Sequence, residues 1–200
     1  TLTSTSAVEV RYELTSNWYT TQVTPLQGTM DAVSFYGYGN YYGKWGAGPS
    51  ALSAMDRSRL YLYRDPAGTI TLVILHDTLW ELNAGNWSGG QVRFNCSGIP
   101  SGTTYIVQDK QGAVGLNTWT WSGGEGAGGV LSGTLNGEFT IDITPLAMGG
   151  INSWEWLSGS LSSPNVRGLD MSSKVTITAR FVNAAPTKIA STILWSVALK

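Results

Sequence analysis

The sequence predicts an all-β fold: a single antiparallel β-sandwich, jelly-roll-like, with at most one short helix. Three observations lead there. Helical periodicity is nearly absent, apolar and polar residues alternate with period two in several segments, and turn chemistry recurs between those segments at short spacing. About ten strands spaced this way suit a two-sheet antiparallel architecture. No long linker divides the chain, so residues 1–200 read as one domain, and a 42% hydrophobic content is enough for a real core.

The first strand runs over Ala7–Leu14. Val8, Val10, Tyr12 and Leu14 share one face, and Glu9, Arg11 and Glu13 share the other. A short polar stretch, Thr1–Ser6, precedes it, so residues 1–14 are also a candidate donor-strand arm. Ser34–Gly48 (SFYGYGNYYGKWGAG) is an aromatic loop whose rings are separated mainly by glycines. Pro49–Arg59 is the one helix candidate, with Ala51, Leu52 and Met55 at helical spacing behind Pro49.

Three hairpins are expected. Leu60–Tyr63 and Thr69–Leu82 flank Asp65-Pro66-Ala67-Gly68, where Pro66 presets φ and Gly68 takes a positive φ at little cost. Thr103–Gln108 and Ala113 onward flank Asp109–Gly112. Gly129–Leu135 and Glu138–Ile143 flank Asn136-Gly137, the strongest short hairpin signal. Further strands are read at Gln91–Cys96, Leu116–Trp121, Ser153–Leu157, Lys174–Asn183 and Ile189–Leu199. Trp119 and Trp121 share a face, as do Trp154 and Trp156, and both pairs read first as sandwich core with Thr120 and Glu155 facing out. Gly123–Gly129 is a flexible loop.

Charged residues make up only 12% of the chain, with 12 basic against 13 acidic side chains. That is about half the usual share. No basic stripe exists, which removes the electrostatic footing for a nucleic-acid partner. A surface of Ser, Thr, Gly, Asn and aromatics does little to keep copies of the chain apart. No apolar run reaches the length of a membrane span. Cys96 is the single cysteine and reads as a small buried hydrophobe. The opening TLTSTSA suits a mature N-terminus exposed by processing, and Asn86-Trp87-Ser88 and Asn95-Cys96-Ser97 are glycosylation sequons; both point toward an extracellular setting.

Catalysis finds little to work with. His76 is the only histidine, its neighbour Asp77 points to the other face of a strand, and no G-x-S-x-G elbow is present. The chain is therefore read as no enzyme. One histidine and one cysteine disfavour zinc. Calcium takes loop carboxylates, for which Asp65, Asp109 and Glu125 are candidates, without a D-x-D-x-D-G loop.

The aromatics admit two readings. A carbohydrate-binding module lays rings flat beside polar groups. A self-assembling subunit buries them at its contacts. The glycines of Ser34–Gly48 would hold rings loosely, which favours Tyr36, Tyr38, Tyr41, Tyr42 and Trp45 as a subunit contact.

Leu60–Glu81 (LYLYRDPAGTITLVILHDTLWE), and more loosely Ser34–Gly39 and Ile151–Ser160, resemble the cannula-type proteins secreted by heat-loving archaea. The resemblance covers about a fifth of the chain. It implies a β-sandwich that polymerises outside the cell into hollow tubes through strand donation and calcium between subunits. Val8, Val10, Tyr12 and Leu14 are then the strand-borne contact residues. The expectation is thus an extracellular, self-associating structural protein; the alternative is a lectin-like module binding surface glycans.

Overall fold

The computed structural model describes residues 8–37, 49, 51–77, 89–109, 117–121 and 126–183. They form two sheets, nearly all β, with one short helix. The first sheet (sheet A) takes β1 (Val8–Ser16), β2 (Tyr19–Val23), β6 (Gly90–Ser97), β8 (Thr118–Trp121), β10 (Phe139–Gly149) and β13 (Val175–Asn183), in the order β2-β1-β13-β10-β6-β8. The second (sheet B) takes β4 (Arg57–Arg64), β5 (Ile70–His76), β7 (Thr104–Asp109), β9 (Ala127–Ser132), β11 (Ser153–Ser160) and β12 (Ser163–Leu169), in the order β12-β11-β4-β5-β9-β7. The two-residue β3 (Leu26–Gln27) adds to β4. Pairing is antiparallel except at β3–β4 and β11–β4, which are parallel.

The two sheets face each other across a core that alternation dictates. From sheet A come Tyr12, Leu14, Phe94, Trp119, Ile141 and Ile177; from sheet B come Leu60, Leu62, Leu72, Ile74, Trp154 and Trp156. Trp119 Nε1 donates to the Gly128 carbonyl at 2.8 Å and Trp121 Nε1 to Asp77 Oδ2 at 3.1 Å, so both indoles of β8 tie sheet A to sheet B. Buried polar N–H groups require such partners.

Sheet B is buried on its other face as well. The alternate residues Tyr61, Tyr63, Val73, Leu75, Val130 and Leu157 form a second core with Leu26, Leu52 and the helix α1 (Ala32–Tyr36). That is why every residue of β5 is buried and its sequence, ITLVILH, is a continuous run with little alternation. Helix α1 starts on Asp31, whose carboxylate accepts from Ser34 N, and stops at Gly37 in the left-handed conformation.

The first hairpin forms, with Gly68 at φ 85° and Asp65 Oδ1 accepting from Thr69 N at 2.8 Å, but its second strand ends at His76 short of the expected Leu82, and residues 78–82 lie outside the described residues. The other two do not form. β7 pairs with β9, and β8 lies in the opposite sheet. Likewise β9 belongs to sheet B and β10 to sheet A, so Asn136-Gly137 sits in a crossover. Gly133, at φ 142°, packs too tightly on Gly102 for any side chain, and this close approach turns the chain out of sheet B. Asn136 works instead as a clamp: its Oδ1 accepts from Ile70 N and its Nδ2 donates to the Gly68 carbonyl. The helix expected over Pro49–Arg59 is also absent among the described residues. Arg57 already begins β4, and the helix present, α1, starts at Ala32 and overlaps only the first three residues of the aromatic segment. The expected strand Ile189–Leu199 and the loop residues Tyr38–Gly48 lie outside the described residues.

A Cβ at Gly128 would overlap the Ile74 carbonyl and the Tyr36 hydroxyl, which come from β5 and α1. Gly128→Ala should therefore cost more than about 2 kcal/mol, read as a lowered denaturation midpoint in urea.

Candidate functional site

The polar groups that sequence reasoning marked for chemistry are mostly consumed by the fold. His76 is fully buried at the end of β5. Its Nδ1 lies 3.0 Å from Ser58 Oγ on β4, its register partner. Its ring stacks on Trp121 at 5.8 Å and tilts against Trp119 and Phe94. Asp77, one residue on, has φ 61°, which swings its carboxylate to the Asp56 amide and the Trp121 indole. A serine, a histidine and an aspartate thus lie close together, all three buried in the core. His76 Nε2 has no hydrogen-bond partner among the described residues.

Burial pushes the His76 pKa down from 6.5 to about 3. The neutral ring is the folded form, while the unfolded chain binds a proton below about 6.5. Stability is therefore complete above that pH and falls as the pH drops from about 6.5 toward 3, by up to about 1.4 kcal/mol per pH unit.

Glu155 lies on the outer face of sheet B, as expected from the flanking tryptophans, yet it is buried. Burial pushes its carboxyl pKa up, but the Ser153 hydroxyl and the guanidiniums of Arg59 and Arg57 outweigh this and hold it below the ordinary value. Arg59 is its register partner on β4 and reaches Oε2 at 2.9 Å; Arg57 reaches Oε1. Thr120 is exposed.

The two calcium candidates among the described residues are engaged within the fold. Asp65 closes its own turn, and Asp109 is fully buried on β7, accepting from the Tyr36 hydroxyl at 3.3 Å. Glu125 lies outside the described residues. Among the described residues no cluster of three His, Cys, Asp or Glu side chains is positioned to hold a metal, so no step through calcium follows from them. Burial raises the Cys96 thiol to about 12, so it stays protonated.

The proposed contact residues also separate. Tyr12, Leu14 and Tyr36 are buried within their own chain, whereas Val10 is partly exposed and Val8 is 62% exposed. Their side chains follow one row: the inner face of sheet A is covered at Leu14 and Tyr12 and uncovered at Val8. Phe181 on β13, paired in register with Val10, extends the same row and is 52% exposed. Along this stretch the backbone is open too. β1 pairs with β13 from Val8 to Thr15, but with β2 only from Tyr12 to Ser16. Val23 is the last β2 residue opposite β1, and Pro25 follows, which cannot donate to a ladder. Among the described residues, Val8–Arg11 is thus a half-open edge beside an apolar overhang. Tyr38, Tyr41, Tyr42 and Trp45 lie outside the described residues.

The opposite end of β1 carries a groove that sequence reasoning missed. Trp18, in the two-residue connection between β1 and β2, is 62% exposed. With Asn152, Ser153, Trp154, Asp170 and Met171 it lines a space of about 520 Å³. The signal was an aromatic in a polar turn, Ser16-Asn17-Trp18, between two alternating runs.

Comparison of the chain with protein-family models, curated proteins and solved structures finds no match in any of the three. No helix among the described residues is long and apolar enough to cross a membrane.

The pH dependence of His76 is measurable. Urea denaturation followed by tryptophan fluorescence should lose stability steadily between pH 6.5 and 5, before ordinary carboxylates titrate. His76→Phe should flatten that slope, and an unchanged slope would assign it to other groups.

Proposed function

We propose that the chain is a structural subunit of an extracellular tube or filament, joining copies by β-strand addition and catalysing no reaction. One observation supports this best: the apolar overhang of Val8, Val10 and Phe181 beside the half-open Val8–Arg11 edge. An added strand satisfies the free backbone groups of such an edge and covers its apolar side chains. Because β1 is held between β13 and β2 over Tyr12–Thr15, the first strand serves in this reading as acceptor instead of donor arm.

The donor is the segment Ile189–Leu199 of another copy. Its sequence places Ile189, Ile193, Trp195, Val197 and Leu199 at alternate positions, as a strand inserted over an apolar row requires. A head-to-tail contact of this kind repeats without closing and yields a filament. The chain's low charge leaves little repulsion to oppose it. The resemblance to cannula-type proteins agrees with this reading, including its extracellular setting.

Electron microscopy of the purified chain tests it. The full chain should form ordered polymers. Val8→Lys with Phe181→Lys places charge on two exposed positions and should leave folded, unpolymerised protein by circular dichroism and light scattering. A synthetic peptide of residues 187–200 should compete with polymerisation of the unaltered chain. Normal polymers from the double variant would sink the edge as the contact.

A further inference from the structure

The groove at the Trp18 end is built from three connections: the β1–β2 turn, the β10–β11 turn and the β12–β13 loop. Asp170 organises it. Its Oδ1 accepts from the Ser172 amide and hydroxyl at 2.9 and 2.6 Å, and its Oδ2 accepts from Asn17 Nδ2 at 3.1 Å. Asn17 also donates to Ser173 Oγ, so the residue before Trp18 is tied to the far loop by two bonds. The Trp18 amide donates to Ser16 Oγ at 3.3 Å. The indole itself lies against Gly168 of β12, where an added Cβ would rest 3.8 Å from Cζ3. Trp18 is thus an exposed ring on a braced turn, unlike a ring on a glycine-rich loop.

The chemistry around that ring is selective. Asn152 Nδ2 donates to Asp56 Oδ2 and the Ser153 hydroxyl to Glu155 Oε1, which leaves their oxygens as neutral acceptors beside the Asp170 carboxylate. Hydrogen bonds from Ser172, Ser173 and Asn17 hold the Asp170 pKa down to about 2, so it is ionised at any physiological pH. Asp170 is the only charged side chain lining the groove among the described residues. At the groove lies Trp154, whose Nε1 is buried without a hydrogen-bond partner among the described residues. A ligand for such a site has an apolar flat face, hydroxyls at its rim that donate to a carboxylate, and no negative charge. A pyranose ring has all three properties, and about 520 Å³ accommodates one or two sugar residues.

We propose that this groove is a binding site for a neutral saccharide, with Trp18 as the stacking plane and Asp170 as the hydroxyl acceptor. It does not rest on polymerisation, because Val8 and Trp18 lie at opposite ends of β1, roughly 30 Å apart at about 3.3 Å per residue.

The full chain would be titrated with cellotetraose, mannotetraose and galactotetraose, with sialyllactose and choline as charged counter-probes, following tryptophan emission and calorimetric heat. At least one neutral tetrasaccharide should bind saturably. Trp18→Ala, at an exposed position, should weaken that binding about tenfold or more with the fold unchanged by circular dichroism. Asp170→Asn should weaken it while Trp18→Phe retains part of it. Three results would overturn the site: no neutral probe binding, equal binding by Trp18→Ala, or preference for sialyllactose or choline. Polymers lost in Trp18→Ala without any saccharide binding would reassign the groove to a contact between copies.

Discussion

The β4–β5 hairpin is the member on which everything else rests, because it has to satisfy two cores at once. Leu60, Leu62, Leu72 and Ile74 point into the space between the sheets, while Tyr61, Tyr63, Val73 and Leu75 point into the second core under α1. A slip of one residue in their register would exchange the two sets and fit neither space. Several devices hold that register: the Asp65–Gly68 turn, the Asn136 clamp across it, and at the other end the Ser58–His76 pair. The hairpin also carries the groups that fasten its neighbours, Arg59 to Glu155 on β11 and Asp77 to Trp121 on β8.

This arrangement accounts for the surface. A chain with 25 charged side chains places Asp109, Asp77 and Glu155 inside the fold, along with its only histidine. Their burial is tolerable because indole, hydroxyl, amide and guanidinium donors surround them. The exterior is left still poorer in charge. Among the described residues, the two ends of β1 carry distinct surface features, an apolar overhang with an unpaired edge at one and a braced tryptophan beside an ionised carboxylate at the other. The proposed assembly edge and the proposed saccharide groove therefore do not compete for space.

Much of the fold was legible in the chain, and the failures have identifiable causes. Alternation placed β1, β13 and the inward tryptophans correctly, since period two is a direct consequence of the pleat. The Asp-Pro-Ala-Gly turn was legible because it closes on itself within five residues. Asn136-Gly137 misled because a turn motif reports local backbone freedom and says nothing about which sheet the next strand joins. Glu155 was read as outward, correctly as to face, but its burial depended on Arg57 and Arg59, nearly a hundred residues away. Trp18 gave only a weak signal, an aromatic in a turn; its bracing comes from Gly168 and Asp170, which no local pattern connects to it.

By itself, then, the sequence determined the β class, the inward faces of the strands and the shortage of charge, all properties set by residue type and spacing within a few positions. Only the tertiary structure decided the partners: which strands pair, that sheet B is buried twice, that a histidine, an aspartate and two tryptophans form a lock between sheets, and that two surface features stand at opposite ends of one strand. Those outcomes depend on contacts between distant segments, whose free energies are realised only when the sheets close on each other.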